Sequence, residues 1–211
     1  MALTIVREPI EQAILDRAIS VIEEVGETGI RTHVIAQDCG VTAPVLYRLF
    51  GSREGLIVAA QAERYARTLV SFPQEIRDEL YSRVALCLSR EDLIGTIKWI
   101  FGSLTKVDQK KARMTRLEVI GSAVSRPDLM KAVAAIEQQS IDDLEKVFAA
   151  ASHHGWISTK HPLRTLLTVW HGFILGRYMI EISDGELDGD AWNTATLDAL
   201  IHLIFDESTN H

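Results

Sequence analysis

Between Thr32 and Phe50 the sequence sets hydroxyl, imidazole, guanidinium and small apolar side chains at the spacing of two short helices joined by a tight turn. Thr32 is placed to cap the first helix. Ile35 and Cys39 lie one turn apart and face inward, and Ala36 is small where two helices must cross. Gly40 supplies the positive φ that ends the first helix. Val41 plugs the turn, Thr42 caps the second helix, and Pro44 suits its first turn. Leu46, Leu49 and Phe50 bury one side of that second helix. The other side then carries Thr42, Ala43, Pro44, Val45, Tyr47 and Arg48, with no carboxylate among them. This is a helix-turn-helix pattern, in which the second helix enters the DNA major groove. Thr42, Ala43 and Val45 suit base edges, including thymine methyls. Arg48 suits guanine or phosphate, and Tyr47 offers its hydroxyl to a phosphate oxygen. Arg53, opening the next helix, joins that helix's N-terminal dipole in attracting phosphate. Arg31, Thr32 and His33 flank the first helix as further contacts to the DNA backbone.

The elements that must position these residues read as helices throughout. Ile10, Ala13, Ile14, Ala18, Val21, Ile22 and Val25 share one helical face, with Pro9 in the first turn and Gly26 and Gly29 at the close. Ser52, Glu54 and Gly55 open a helix toward Phe72, where Pro73 stops or kinks it. Further helices are expected over 74–88, 91–105, 108–123, 128–153, 162–182 and 189–205, about ten in all. Alternating β-branched runs with hairpin turns are missing, so the fold class is all-α.

Composition excludes several other classes. The chain has 211 residues, 47% hydrophobic and 24% charged, as expected of a soluble globular protein. Its 2 cysteines, Cys39 and Cys87, are too few for a disulfide framework or a cysteine-based zinc site. The first residues lack the basic region and apolar core of a signal peptide. The apolar stretch 163–182 carries Arg164, His171, Arg177 and Glu181, which a bilayer span of about 20 residues would not. A cytoplasmic protein with no membrane partner is expected. His153, His154, His161 and His171 lack metal-ligand spacing, and no nucleophile elbow, P-loop or dinucleotide fingerprint occurs, so neither a metal, a cofactor nor an enzyme is expected.

From Ile35 to Leu56 the chain reads Ile-Ala, then Gly-Val-Thr-Ala-Pro-Val-Leu-Tyr-Arg-Leu-Phe-Gly-Ser-Arg-Glu-Gly-Leu. This resembles the signature of the tetracycline-repressor (TetR) family of regulators, which ends in Leu-Tyr-x-x-Phe, a short turn and Lys-Glu-x-Leu. The resemblance covers about residues 8–65. Arg53 stands where the family usually has Lys, keeping the charge but changing its geometry. Leu49 stands where many members have His, which points to burial there. The resemblance implies a homodimer with an N-terminal three-helix DNA-binding domain, placed at 1–52, and a helical effector and dimerisation domain, placed at 53–211. It further implies repression by occupying a palindromic operator on double-stranded DNA, relieved when a small molecule changes the separation of the two reading helices. The alternatives are a small-molecule-binding helical protein and a transcriptional activator of the same fold.

Gly172 and Gly176, flanking Phe173, stand four residues apart in the 162–182 helix. Each costs about 1 kcal/mol relative to Ala, so a close backbone approach is expected, either to a helix of the same chain or to a second subunit. The resemblance favours the dimer interface. It also places the effector pocket among the middle helices, where Trp99, Leu104, Met114, Leu117, Phe148, Trp170, Phe173 and Tyr178 are the apolar candidates and Glu118 and His171 the polar anchors. An apolar or aromatic effector is expected.

The formal charge of −7 speaks against a nucleic-acid partner until it is resolved by position. Residues 28–53 hold three arginines against Asp38 alone, while residues 181–211 hold eight acids and neither Lys nor Arg. The reading head is thus locally basic.

Overall fold

A computed structural model describes residues 8–69, 74–106, 109–158 and 160–205, and all regular elements among them are helical. The described residues pack into two compact units: those within 8–69 and 115–136, and those within 74–114 and 137–205. Among the described residues no helix is long and apolar enough to cross a membrane.

The first unit begins with α1 (Pro9–Val25), which Pro9 starts and Gly26 ends at a φ of 78°. A 3₁₀ turn (Glu27–Gly29) leads to α2 (Thr32–Asp38), α3 (Ala43–Phe50) and α4 (Arg53–Leu69). The stripe Ile14, Leu15, Ala18, Ile19 and Ile22 of α1 meets Ile30, Ile35, Ala36, Leu46, Leu56, Ile57 and Ala60 in one core. Apolar burial of this kind contributes about 25 cal/mol per Å². Farther along α4, Tyr65 and Ala66 pack on Val119 and Ala123 of α7 (Lys110–Ala123) and on Leu129, Val133 and Ile136 of α8 (Pro127–His153).

Two local devices set the turns on either side of α3. Gly40 takes a φ of 69°. Its N–H donates to the Gln37 carbonyl at 3.0 Å, and the Val41 N–H donates to the Ala36 carbonyl at 2.9 Å. That pair of bonds closes a helix C-terminus in the left-handed conformation and turns the chain sharply. After α3, Ser52 Oγ accepts the Gly55 N–H at 2.9 Å and caps α4. A Cβ on Gly55 would lie 2.0 Å from the Phe50 carbonyl oxygen, so only glycine fits where α4 begins beside the end of α3.

The second unit contains α5 (Gln74–Leu86), α6 (Arg90–Leu104), α9 (Leu163–Gly176), α10 (Tyr178–Ile182) and α11 (Gly189–Phe205). Ser89 caps α6 by accepting the Asp92 N–H at 3.1 Å, while Asp92 accepts the Leu88 N–H at 3.0 Å. One core joins Leu93 and Ile97 to Phe148, Leu166, Leu167 and Phe205, and a second joins Phe101, Ile174 and Leu200.

The structure departs from expectation in two respects. The single helix expected over 162–182 is interrupted at Arg177, whose φ of −59° and ψ of −18° keep the chain near helical geometry. The guanidinium of Arg177 is buried and donates to the Gly189 carbonyl at 3.3 Å and to Asn193. The packing units also do not divide at residue 52. The apolar faces of α1–α3 close only against Leu56, Ile57 and Ala60, so α4 belongs with them. The expected stop at Pro73 lies outside the described residues.

Candidate nucleic-acid interface

Helix α3 has two unlike sides. Leu46 is fully buried, and Leu49 and Phe50 pack half-buried on the same core. Opposite them, Thr42, Pro44, Tyr47 and Arg48 are exposed, and Ala43 and Val45 are half-buried. Thr42 holds the N-cap position with extended backbone, and its carbonyl accepts the N–H groups of Val45 at 3.0 Å and Leu46 at 3.3 Å. Its hydroxyl makes no capping bond.

Thr32 departs from its expected role as a cap. Arg31 occupies the N-cap of α2 without a side-chain bond, and Thr32 is the first helical residue. Its Oγ1 lies 3.0 Å from Tyr47 Oη. This hydroxyl pair ties α2 to the exposed side of α3 and fixes where the Tyr47 ring points. No short-range sequence signal shows it, because the partners belong to different helices.

Two of the four expected cationic contacts are engaged within the protein. Arg53 donates from Nε to the Ile30 carbonyl at 2.9 Å and from Nη2 to the Glu27 carbonyl at 2.7 Å. Arg31 donates to the Thr28 carbonyl at 2.6 Å and reaches the Ile30 carbonyl at 3.4 Å. Both guanidiniums thus pin the loop before α2, and they keep their charge beside it. Arg48 is exposed and forms no ion pair among the described residues, and His33 is exposed at the start of α2.

Nearby acids are paired, which sharpens the local charge. Asp38, the one acid in the 28–53 stretch, accepts from Arg17 Nε at 2.8 Å. Arg126 takes Glu27 at 2.6 Å and Glu54 at 2.7 Å. Paired carboxylates project less field than bare ones, so the arginines around α3 dominate the potential that a phosphate would meet.

The residues expected to bind an effector are not all brought together. Phe148 belongs to the core, and Trp170 lies edge-on to Phe101 at a centroid distance of 5.9 Å. Trp99 is covered by the Arg83 guanidinium at 4.5 Å. Met114, Tyr178 and His171 are half-buried, and His171 Nδ1 lies 3.0 Å from Glu137 Oε2. Glu118 is placed apart from these. It belongs to the first unit, is exposed, and accepts from Arg64 Nη2 at 3.0 Å.

In the second unit the side chain of Glu181 is largely covered, and Arg113 and Arg177 share its carboxylate. Arg113 donates from Nε to Glu181 Oε1 at 2.7 Å and from Nη1 to the Leu104 carbonyl at 2.6 Å. Burial and the nearby charge of Arg113 lower the pKa of Arg177, against the pull of Glu181 and Asp190. Among the described residues no cluster of three or more His, Cys, Asp or Glu is arranged to hold a metal.

The glycines expected at a dimer interface face open space. A Cβ built on Gly172 or on Gly176 meets no atom of the described residues within 4 Å. The first of the two explanations, close packing on a helix of the same chain, is therefore not what the structure shows.

Residues 14–60 match the family model described as "Bacterial regulatory proteins, tetR family". No curated protein matches the chain in sequence. Among solved structures, a protein described as a TetR-family transcriptional regulator from Rhodococcus sp. is similar at 18% identity and a TM-score of 0.63, over 92% of this chain and 98% of that one. FadR from Bacillus subtilis, solved with stearoyl-CoA, is similar at 18% identity and a TM-score of 0.54, over 92% and 98%. A transcriptional regulator from Saccharomonospora viridis, solved with choline, is similar at 14% identity and a TM-score of 0.56, over 93% and 98%. These likenesses extend the fold over nearly the whole chain, and the match at 14–60 falls on the helices that carry Thr42, Tyr47 and Arg48. The segment that this chain shares with the tetR family model is thus its helix-turn-helix portion, residues 14–60.

Proposed function

We propose that the chain is a ligand-responsive transcriptional repressor that binds a palindromic operator as a homodimer and works in the cytoplasm without enzymatic activity. The observation that carries the DNA reading is the exposed side of α3, seated on a buried Leu46 and bearing Thr42, Tyr47 and Arg48 without a carboxylate. In this reading Thr42, Ala43 and Val45 meet base edges and Pro44 lies against the groove wall. Tyr47 and Arg48 hold phosphate or guanine, and Arg31, Thr32, His33 and Arg53 line the backbone on either side.

The dimer reading is supported by the empty space over Gly172 and Gly176 beside the half-buried Phe173. A glycine within a helix destabilises it unless a close approach compensates, and no atom of the described residues makes that approach to Gly172 or Gly176. A second copy of the same helix, related by a twofold axis, would fill it. The effector is assigned to the second unit, among Trp99, Met114, Phe148, Trp170, His171 and Tyr178, and its class to apolar or aromatic molecules. The structures solved with stearoyl-CoA and with choline show that this fold accommodates ligands of unlike chemistry.

Selection of DNA by the purified protein is expected to yield a palindrome whose half-site centres are related by whole duplex turns, roughly 34–36 Å each. Arg48→Ala should weaken binding to every selected sequence and reduce the slope of log K against log salt by about 1. Tyr47→Ala should weaken all sites alike, and changes at Thr42 or Val45 should alter base preference, by about 1–3 kcal/mol at the matched base pair. Unchanged affinity for Tyr47→Ala contradicts this docking. In a thermal-shift panel, apolar or aromatic compounds should raise the melting temperature, and stabilisation by highly polar compounds alone contradicts the assigned class. Gly172→Leu should sediment as a monomer where the parent protein is a dimer, and a dimeric Gly172→Leu contradicts the close approach.

A further inference from the structure

Glu27 lies in the 3₁₀ turn between α1 and α2, and four side-chain donor atoms converge on its carboxylate. Oε1 accepts from Gln61 Nε2 of α4 at 2.6 Å, from Ser122 Oγ of α7 at 3.0 Å and from Arg126 Nη1 at 3.1 Å. Oε2 accepts from Arg126 Nη2 at 2.6 Å. Arg126 also donates to Ser122 Oγ and, from Nε, to Glu54 Oε1 at 2.7 Å. The main-chain carbonyl of Glu27 accepts from Arg53 Nη2 at 2.7 Å. The residue is therefore held at both its side chain and its backbone, by α4 on one side and by the corner between α7 and α8 on the other. Burial opposes ionisation of the Glu27 carboxyl, and the bonds from Gln61, Arg126 and Ser122 with the Arg126 charge outweigh it, leaving the group below its ordinary value.

Three residues after Glu27 comes Ile30, which is fully buried, and Thr32 then opens α2 and meets Tyr47. The 27–31 loop is the one covalent link from α1 to the reading pair of helices. Its far anchor is remote in sequence, 95 residues from Glu27 for Ser122 and 99 for Arg126. The two helices that meet at this corner continue, before residue 115 and after residue 136, into the second unit.

We propose that Glu27 is the positioning residue of the DNA-reading head: clamped by Ser122 and Arg126, it fixes the loop that sets α2 and α3 for the operator. It touches no DNA itself. Loosening the clamp lowers the fraction of molecules whose reading helix is set, and apparent affinity falls by that fraction while the contacts in the bound state stay the same. The proposal rests on the DNA-binding reading above.

The test measures affinity for a selected DNA duplex by fluorescence anisotropy, with thermal unfolding in parallel, for the full chain and for Glu27→Gln, Arg126→Met, Arg126→Lys and the Glu27→Gln/Arg126→Met pair. Glu27→Gln and Arg126→Met are each expected to weaken binding about 10-fold, within the usual range for coupled sites. The double variant should be no weaker than the worse single one, because both remove one interaction. The salt slope should be unchanged, since no phosphate contact is lost, and Arg126→Lys should recover part of the affinity. Ser122→Ala, which removes one neutral donor, gives a milder loss if Glu27→Gln does not fold. Affinities equal to the parent's, additive losses, or a lowered melting temperature with intact affinity would each overturn the proposal. Failure of the parent chain to bind any selected duplex overturns the DNA-binding reading itself, and the two failures are thereby distinguished.

Discussion

Everything proposed for this chain depends on how one short helix is seated. Helix α3 has eight residues, too few to be stable alone in water. It persists because Leu46 is wholly buried among Ile14, Leu15, Ile35 and Leu56, with Leu49 and Phe50 packed at the edge of the same core. The same burial fixes its rotation about its own axis. With Leu46 inward, Thr42, Tyr47 and Arg48 must face outward, and the Gly40 turn and the Ser52 cap leave α3 little freedom to slide. A reading helix must offer its polar side at a set angle, and the core beneath it supplies that angle.

The parts legible in the sequence are those whose physics is local. Gly40, Pro44, Ser52 and Gly55 act through backbone conformation within a few residues, so their types alone announce the turn and the helix starts. The inward positions Ile35, Ala36 and Leu46 follow from helical period. What the sequence concealed are contacts between residues far apart along the chain. Thr32 reads as a cap because threonine before a helix usually is one, yet its hydroxyl meets Tyr47 on the next helix. Arg53 reads as a phosphate ligand, yet two of its nitrogens hold the carbonyls of Ile30 and Glu27. The Arg113–Glu181 pair is likewise a contact between residues far apart along the chain, and nothing local to either residue announces it.

Charge shows how position outweighs totals. The chain is acidic as a whole, and the count over 28–53 gives a modest positive surplus. The fold strengthens that surplus by pairing Asp38 with Arg17 and both Glu27 and Glu54 with Arg126. The same arginine that neutralises these acids anchors the loop before α2, so electrostatics and geometry around the reading head are set by shared residues. Surface pairs of this kind contribute little stability singly, and their effect here lies in placement and in the field they leave behind.

Hydrogen–deuterium exchange of the full chain, with and without a saturating selected duplex, tests the central claim most directly. The account predicts DNA-dependent protection over residues 31–53, strongest at 42–48. Protection confined to residues 163–205, or no change over 31–53 with the duplex bound, would contradict it.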